Sequence, residues 1–271
     1  MLASKRTGAE VLPEEYLARG RGVAPACAAT GRPRSLALTP DCRHALRYDF
    51  RMNVSRLAEA WRQSDVARRV RTRKFVGSAA YWESRYASGG TSGTGSYGLA
   101  AEWKADVVNR WVADTGTKSV VDLGCGDGNQ LKLAKYPRYL GLDRSASAIR
   151  RCIRDFAGDD SKSFIWIETD ATADPAGWLR GDMALSLEVI FHLVEDEART
   201  DYLRRLFASG EKFVVICSTD GPVSSARPHE RHEAFTPWVE MNASDWELLE
   251  RVAPPSEANL LSDLFLYGRR S

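Results

Sequence analysis

Two clusters of glycine offer a cradle for a nucleotide-like cofactor. "GTGSYG", Gly93 to Gly98, spells the G-x-G-x-x-G of a dinucleotide fingerprint, and "GCGDG", Gly124 to Gly128, lies further along the chain. Such glycines work only at the turn between a buried strand and a helix, where the backbone approaches the ligand with no Cβ in the way. "VVDLGCGDGNQLKLA" has strand, turn and helical pattern in that order. Asp143 ends the next apolar run, "YLGLD", seventeen residues after Gly126. A carboxylate at that strand end can accept from both hydroxyls of a ribose. "GTGSYG" has no apolar strand before it and lacks the lysine of a phosphate loop. With Tyr97 inside it and Trp82 and Tyr86 nearby, it reads as a flap over the cofactor, with a plain linker as the alternative.

These residues need a sheet behind them, and the apolar pattern supplies one. "SVVDLG", "YLGLD", "SFIWIETD", "DMALSLEVI" and "KFVVICS" are short apolar runs separated by helical stretches. The helical stretches include Leu99, Trp103, Val107 and Trp111 at four-residue spacing before a glycine C-cap at Gly116. A second puts Ile149, Cys152, Ile153 and Phe156 on one face, and a third turns Tyr202, Leu203, Leu206 and Phe207 inward. Five strands alternating with helices imply a parallel sheet with right-handed crossovers. The tail from Trp246 adds two strands as a hairpin-like pair at the edge. The expected fold is α/β: a Rossmann-like, doubly wound, seven-stranded and mostly parallel sheet with an antiparallel edge strand and helices on both faces.

The net charge of +2 conceals an asymmetry. Residues 1–74 hold 16 Lys and Arg against 7 Asp and Glu, a net of +9, and the remainder carries −7. Residues 1–51, with "RGRGVAPACAATGRPRS", are expected to be a poorly ordered basic arm, and Met52 is a candidate natural start. Residues 52–80 read as a helical extension ending in Arg68, Arg69, Arg71, Arg73 and Lys74, a basic surface on which few aromatics interleave. No apolar run approaches a membrane span and the first twenty residues lack a signal-peptide core, so cytoplasm is the expected compartment. Five cysteines without CxxC spacing read as reduced thiols, and Cys125 as the small residue its turn requires.

"VVDLGCGDG", "YLGLDRS", the acid of "ETDAT" and "ALSLEVIFHLVED" resemble, in order and spacing, the successive motifs of class I S-adenosylmethionine-dependent methyltransferases over roughly residues 80–269, which implies a domain of that kind over residues 81–271. "YWESRY…GGTSGTGSYG", "HLVED" and "HERHEAF" further resemble a bacterial subgroup associated with glycan and natural-product pathways. The resemblance implies S-adenosyl-L-methionine as cofactor. It implies that Asp122, Gly124, Cys125 and Gly126 surround its methionine part, that Asp143 with Arg144 holds the ribose, and that Asp170 and Ala171 meet the adenine. Glu188 would face the methionine amino group or the acceptor, and Tyr97 would close from the flap.

Methyl transfer to a hydroxyl requires aligning the acceptor and removing a proton, a task suited to histidine near neutral pH. His44 lies in the arm. His192, just after the fourth strand, is the first choice of general base, and His229 with His232 follows as acceptor contact or second base. His192, Glu195 and Asp196 have ligand types that suit a divalent ion, but carboxylates beside a helix start are more often caps, and no metal is expected. The expected activity is O-methylation of a small polar acceptor such as a sugar, glycan or natural-product hydroxyl. Two alternatives stand beside it: an RNA or DNA methyltransferase using the basic arm, and a non-catalytic cofactor-binding regulator.

Overall fold

The computed structural model describes residues 75–168, 174 and 176–270, all within the unit Glu59–Ser271. The expected arm and the extension up to residue 74 lie outside the described residues. The first described helix, α1, spans Ser78–Ala87 and so runs across the boundary expected at residue 80. It is followed by α2 (Gly98–Asp114), β1 (Val120–Leu123), β2 (Tyr139–Asp143), α3 (Ala146–Asp155) and β3 (Lys162–Trp166). After these come β4 (Gly181–Leu187), α4 (Asp196–Ser209), β5 (Gly210–Ser218), α5 (Thr236–Asn242), β6 (Trp246–Val252) and β7 (Asp263–Arg269).

The seven strands form one sheet in the order β3-β2-β1-β4-β5-β7-β6. β1 to β5 pair in parallel, and β7 is antiparallel to both β5 and β6. The antiparallel β7 is thus inserted between β5 and β6, and β6 with β7 makes the hairpin-like pair expected of the tail. Strand order reverses between β1 and β4, which opens a crevice beyond their carboxyl ends.

Alternation along the central strands feeds two apolar layers. Val121 and Leu123 of β1, Ala184 of β4 and Ile216 of β5 pack with Leu203, Leu206 and Phe207 of α4. Val120, Met183, Leu185 and Val215 face the opposite side and meet Val108, Trp111 and Val112 of α2. The α2 stripe is rotated from the spacing expected: Leu99 is 58% exposed, whereas Lys104 is fully buried. Lys104 turns inward because a carboxylate waits for it there. Ile153 likewise faces solvent while Ile149 and Cys152 are buried. Gly116, with φ +64°, follows the C-cap Thr115 and closes α2 in the left-handed conformation that favours glycine there.

One expected element is absent in the form foreseen. After "GCGDG" the chain makes a single 3-10 turn, Gln130–Leu133, in place of an α-helix. Only fifteen residues, 124–138, bridge β1 to β2, close to the minimum for a parallel crossover. No described helix is long and apolar enough to cross a membrane.

Candidate active site

A cavity of about 310 Å³ opens at the carboxyl ends of β1 and β4. Asp122, Gly124, Asp143 and Glu188 line one part of it, and His192 and His229 another. Cys125, Gly126, Arg144 and His232 belong to the same region, while Asp170 and Ala171 lie outside the described residues.

At the glycine turn, Gly124 and Gly126 have φ of +83° and +58°, conformations that L side chains rarely adopt. A Cβ at either position would also strike the protein's own side chains. At Gly124 it would lie 2.7 Å from Val189 Cγ2, and at Gly126 2.5 Å from Ser92 Oγ and 2.8 Å from Tyr86 Oη. The protein's own side chains, packed down by α1 and the segment after β4, therefore forbid a larger residue. The neighbouring Cys152 thiol and burial push the Cys125 thiol well above the ordinary range, which disfavours the thiolate that a nucleophile needs.

Two acids flank the turn. Asp143 accepts from Gly126 N at 2.9 Å through Oδ2 and from Ser145 N at 2.7 Å through Oδ1, so it braces the turn as well as facing the cavity. Each carboxylate oxygen can accept more than one bond. Asp122 accepts from the Tyr139 hydroxyl at 2.7 Å through Oδ2, while its buried Oδ1 has no hydrogen-bond partner among the described residues. Burial raises its pKa to about 7, with the nearby Asp143 charge adding to the effect and the Tyr139 hydroxyl opposing it.

Glu188 follows β4 with φ +63°, a left-handed conformation that is costly for glutamate. Its Oε1 accepts from Ser262 Oγ at 2.8 Å, and its Oε2 pairs with Lys104 Nζ at 3.4 Å. Against that same oxygen lies Gly95, where a Cβ would fall 1.7 Å away. The middle glycine of "GTGSYG" thus exists to leave room for the Glu188 carboxylate.

α1 roofs this region. Glu83 accepts from Ser145 Oγ at 2.5 Å and from Ser147 N and Oγ at 3.1 and 2.7 Å, which docks α1 on the start of α3. At its other end Glu195 accepts from Ser78 N at 2.9 Å and Ser78 Oγ at 2.7 Å. The trio His192, Glu195 and Asp196 is therefore taken apart: Glu195 anchors α1 and Asp196 pairs with Arg231. The segment after α1 is fastened to the glycine turn through Asp127, which accepts from Ser92 N, Ser92 Oγ and Tyr97 Oη at 3.0, 2.8 and 3.0 Å. Burial opposes ionisation of Asp127, but these donors and the Asn129 amide outweigh it and hold its pKa below the ordinary value. Tyr97 itself points at Asp127 and does not line the cavity.

The far side of the cavity is aromatic and imidazole-rich. His192 ends a 3-10 turn, Ile190–His192, with Nδ1 3.1 Å from the His229 carbonyl oxygen. Trp82 packs edge-on against the His192 ring, and Tyr81 stacks on His229 at 4.1 Å between centroids. Burial drops the His192 pKa to about 4, so its imidazole is neutral and weakly basic. His229 is lowered too, by burial foremost. His232 Nδ1 lies 2.9 Å from Thr219 Oγ1. Glu230, which the sequence reading passed over, stands between these histidines, 3.8 Å from His229 Nε2 and 3.7 Å from His232 Nε2. Lys104, Ser262 and Gly95 were also passed over. For Lys104 a signal existed: it sits four residues from Ala100 and from Val108 on the buried face of α2.

Residues 120–210 match the family model described as a methyltransferase domain. The matched segment holds the glycine turn, Asp143 and Glu188, and ends as β5 begins. The chain also has structural counterparts, although no curated protein matches it by sequence. The N-methyltransferase NodS from Bradyrhizobium japonicum WM9, in complex with S-adenosylhomocysteine, superposes with a TM-score of 0.54 at 15% identity over 72% of this chain and 98% of that one. The methyltransferase domain of bacterial CtHen1-C gives 0.51 at 19% identity, over 64% of this chain and all of that one. Magnesium protoporphyrin IX methyltransferase from Synechocystis PCC 6803, with bound S-adenosylhomocysteine, gives 0.50 at 14% identity, over 62% and 83% of the two chains. At these identities the likeness establishes a shared Rossmann-like methyltransferase fold.

Proposed function

We propose that the chain transfers a methyl group from S-adenosyl-L-methionine to a small polar acceptor, on oxygen, with a sugar, glycan or natural-product hydroxyl as the acceptor class. The observation that carries this reading is a single cavity that runs from the glycine turn and Asp143 to the imidazoles of His192 and His229. The turn, with Asp122, Gly124, Cys125 and Gly126, would hold the methionine part, and Asp143 with Arg144 the ribose. Asp170 and Ala171 would meet the adenine. Glu188, held by Lys104 and Ser262, would take the cofactor's amino group or the acceptor, and Tyr97 would act by fixing the segment over the turn.

S-Adenosyl-L-methionine, bound there, would supply an electrophilic methyl group to the acceptor oxygen and leave as the neutral thioether, the bonding pair returning to its sulfur, while the hydroxyl proton would pass to a base. His192 and His229 are the imidazoles placed for that proton, and alignment supplies much of the rate. His192 is so weakly basic that it acts best on an acceptor already acidified.

Titration calorimetry with S-adenosylmethionine tests the reading. Saturable binding to the native chain, lost in Asp143→Ala and in Gly124→Val, is expected. Absence of binding, or binding that neither substitution weakens, refutes it.

A further inference from the structure

Beyond its cofactor, the cavity offers a second set of ligand atoms. One ring nitrogen each of His192 and His229 and a carboxylate oxygen of Glu230 lie within 4.8 Å of one another. The geometry points to a site for a divalent transition ion of the zinc or cobalt type, bound by two imidazoles and one carboxylate at the acceptor end of the cavity.

Three features of the surroundings fit that use. A carbonyl oxygen only accepts, so the contact between His192 Nδ1 and the His229 carbonyl puts the hydrogen on Nδ1 and the lone pair on Nε2. Orientation of a ligating ring by a hydrogen bond from its other nitrogen is the usual outer support of a metal histidine. His229 turns Nε2 toward Glu230 Oε1, 3.8 Å away, with the Tyr81 hydroxyl beside it at 3.2 Å, while its buried Nδ1 has no hydrogen-bond partner among the described residues. Glu230 is held by Ser225 Oγ at 2.6 Å and Arg227 at 2.7 Å, one on each oxygen, and each oxygen retains further accepting capacity. Those contacts fix the carboxylate's direction in the way ligating carboxylates are commonly fixed.

Two imidazoles and a carboxylate are a donor set that suits zinc and its neighbours, and three protein ligands leave a position for substrate. With the imidazole lone pairs on the ion, His192 and His229 would no longer act as the base; an acceptor oxygen in the open position would instead give up its proton to solvent more readily, since a bound cation lowers the pKa of a coordinated hydroxyl. This deepens, and depends for its catalytic meaning on, the methyltransferase reading above. It also narrows the acceptor class to molecules whose oxygen can coordinate a metal.

The test is metal binding by the full-length chain after treatment with chelator. Cobalt(II) is added and followed by its visible d–d absorption, with zinc(II) competition for affinity. One saturating equivalent is expected, weakened at least about tenfold by His229→Asn and by Glu230→Gln, a factor that even outer-shell support can reach. His192→Asn is expected to behave likewise, and Glu195→Gln, on the carboxylate that anchors α1, to leave binding unchanged. Circular dichroism melts verify that each variant folds. No saturable binding in the native chain, or undiminished binding in both His229→Asn and Glu230→Gln, overturns the site. Calorimetry with S-adenosylmethionine, run without metal, separates this outcome from failure of the methyltransferase reading itself.

Discussion

Tyr97 donates its hydroxyl to Asp127 across 3.0 Å, and through that bond the two glycine clusters of the chain are fastened together. Ser92 adds two bonds to the same carboxylate, and Asn129 Nδ2 donates to Ser96 O at 2.7 Å. Any opening of the segment over the cavity must therefore break contacts with the turn beneath it.

Tyr97→Phe removes one charge-assisted bond on a partly exposed ring. We expect a loss of about 1 kcal/mol in denaturant-measured stability and a few-fold weaker S-adenosylmethionine binding by calorimetry. Asp127→Asn, which disturbs all four donors to that carboxylate, should cost more on both measures; equal effects would contradict this account of the clasp.

The raised pKa of Asp122 makes stability depend on pH. The folded state holds a proton near pH 7 that the unfolded chain releases near 3.8, so the contribution is complete below about pH 4 and is lost as pH rises through about 7. A shift of that size corresponds to an upper figure of roughly 4 kcal/mol. Asp122→Asn is expected to raise the melting temperature relative to the native chain at pH 8 and to narrow that gap at pH 4. Parallel pH profiles for the two proteins would refute it.

Lys104 and Glu188 form a pair whose side chains are 1% and 14% exposed. Lys104→Met should destabilise by about 3 kcal/mol, because it leaves a carboxylate without its cation in a confined site. Adding Glu188→Gln should restore part of that loss, and a double-mutant cycle in urea measures the coupling. Purely additive effects would show that the pair is not energetically linked.

Glu83 joins α1 to the first turn of α3 through Ser145 and Ser147. Glu83→Ala should cost about 1 kcal/mol, the scale of a lost cap at a helix start, and should speed amide exchange across residues 78–87. Unchanged exchange in that segment would mean that other contacts hold α1 down.

The strands and the glycine turn were legible in the sequence because both rest on local rules. Period-two and continuous apolar runs mark strands, and "VVDLGCGDG" carries its turn in its own residues. Asp143 was legible because its position at a strand end follows from the same pattern. What escaped the reading is tertiary. Gly95 is needed by Glu188, 93 residues further along, and Lys104 by the same carboxylate. Glu230 gains meaning only when the loop after β5 folds back beside His192. The helix expected after the turn shrank to a 3-10 turn because the crossover is short, a length constraint that periodicity does not register.

The backbone at Glu188 carries a last implication. Glycine or asparagine would occupy φ +63° more comfortably, and a sequence shaped for durability alone would place one of them there. A glutamate kept in that posture marks a site where folding yields to another demand. Glu188→Gly alone would strand the buried Lys104 ammonium, so it is the pair Glu188→Gly with Lys104→Met that should survive heating better and work worse, a trade visible to any selection that scores the two traits apart.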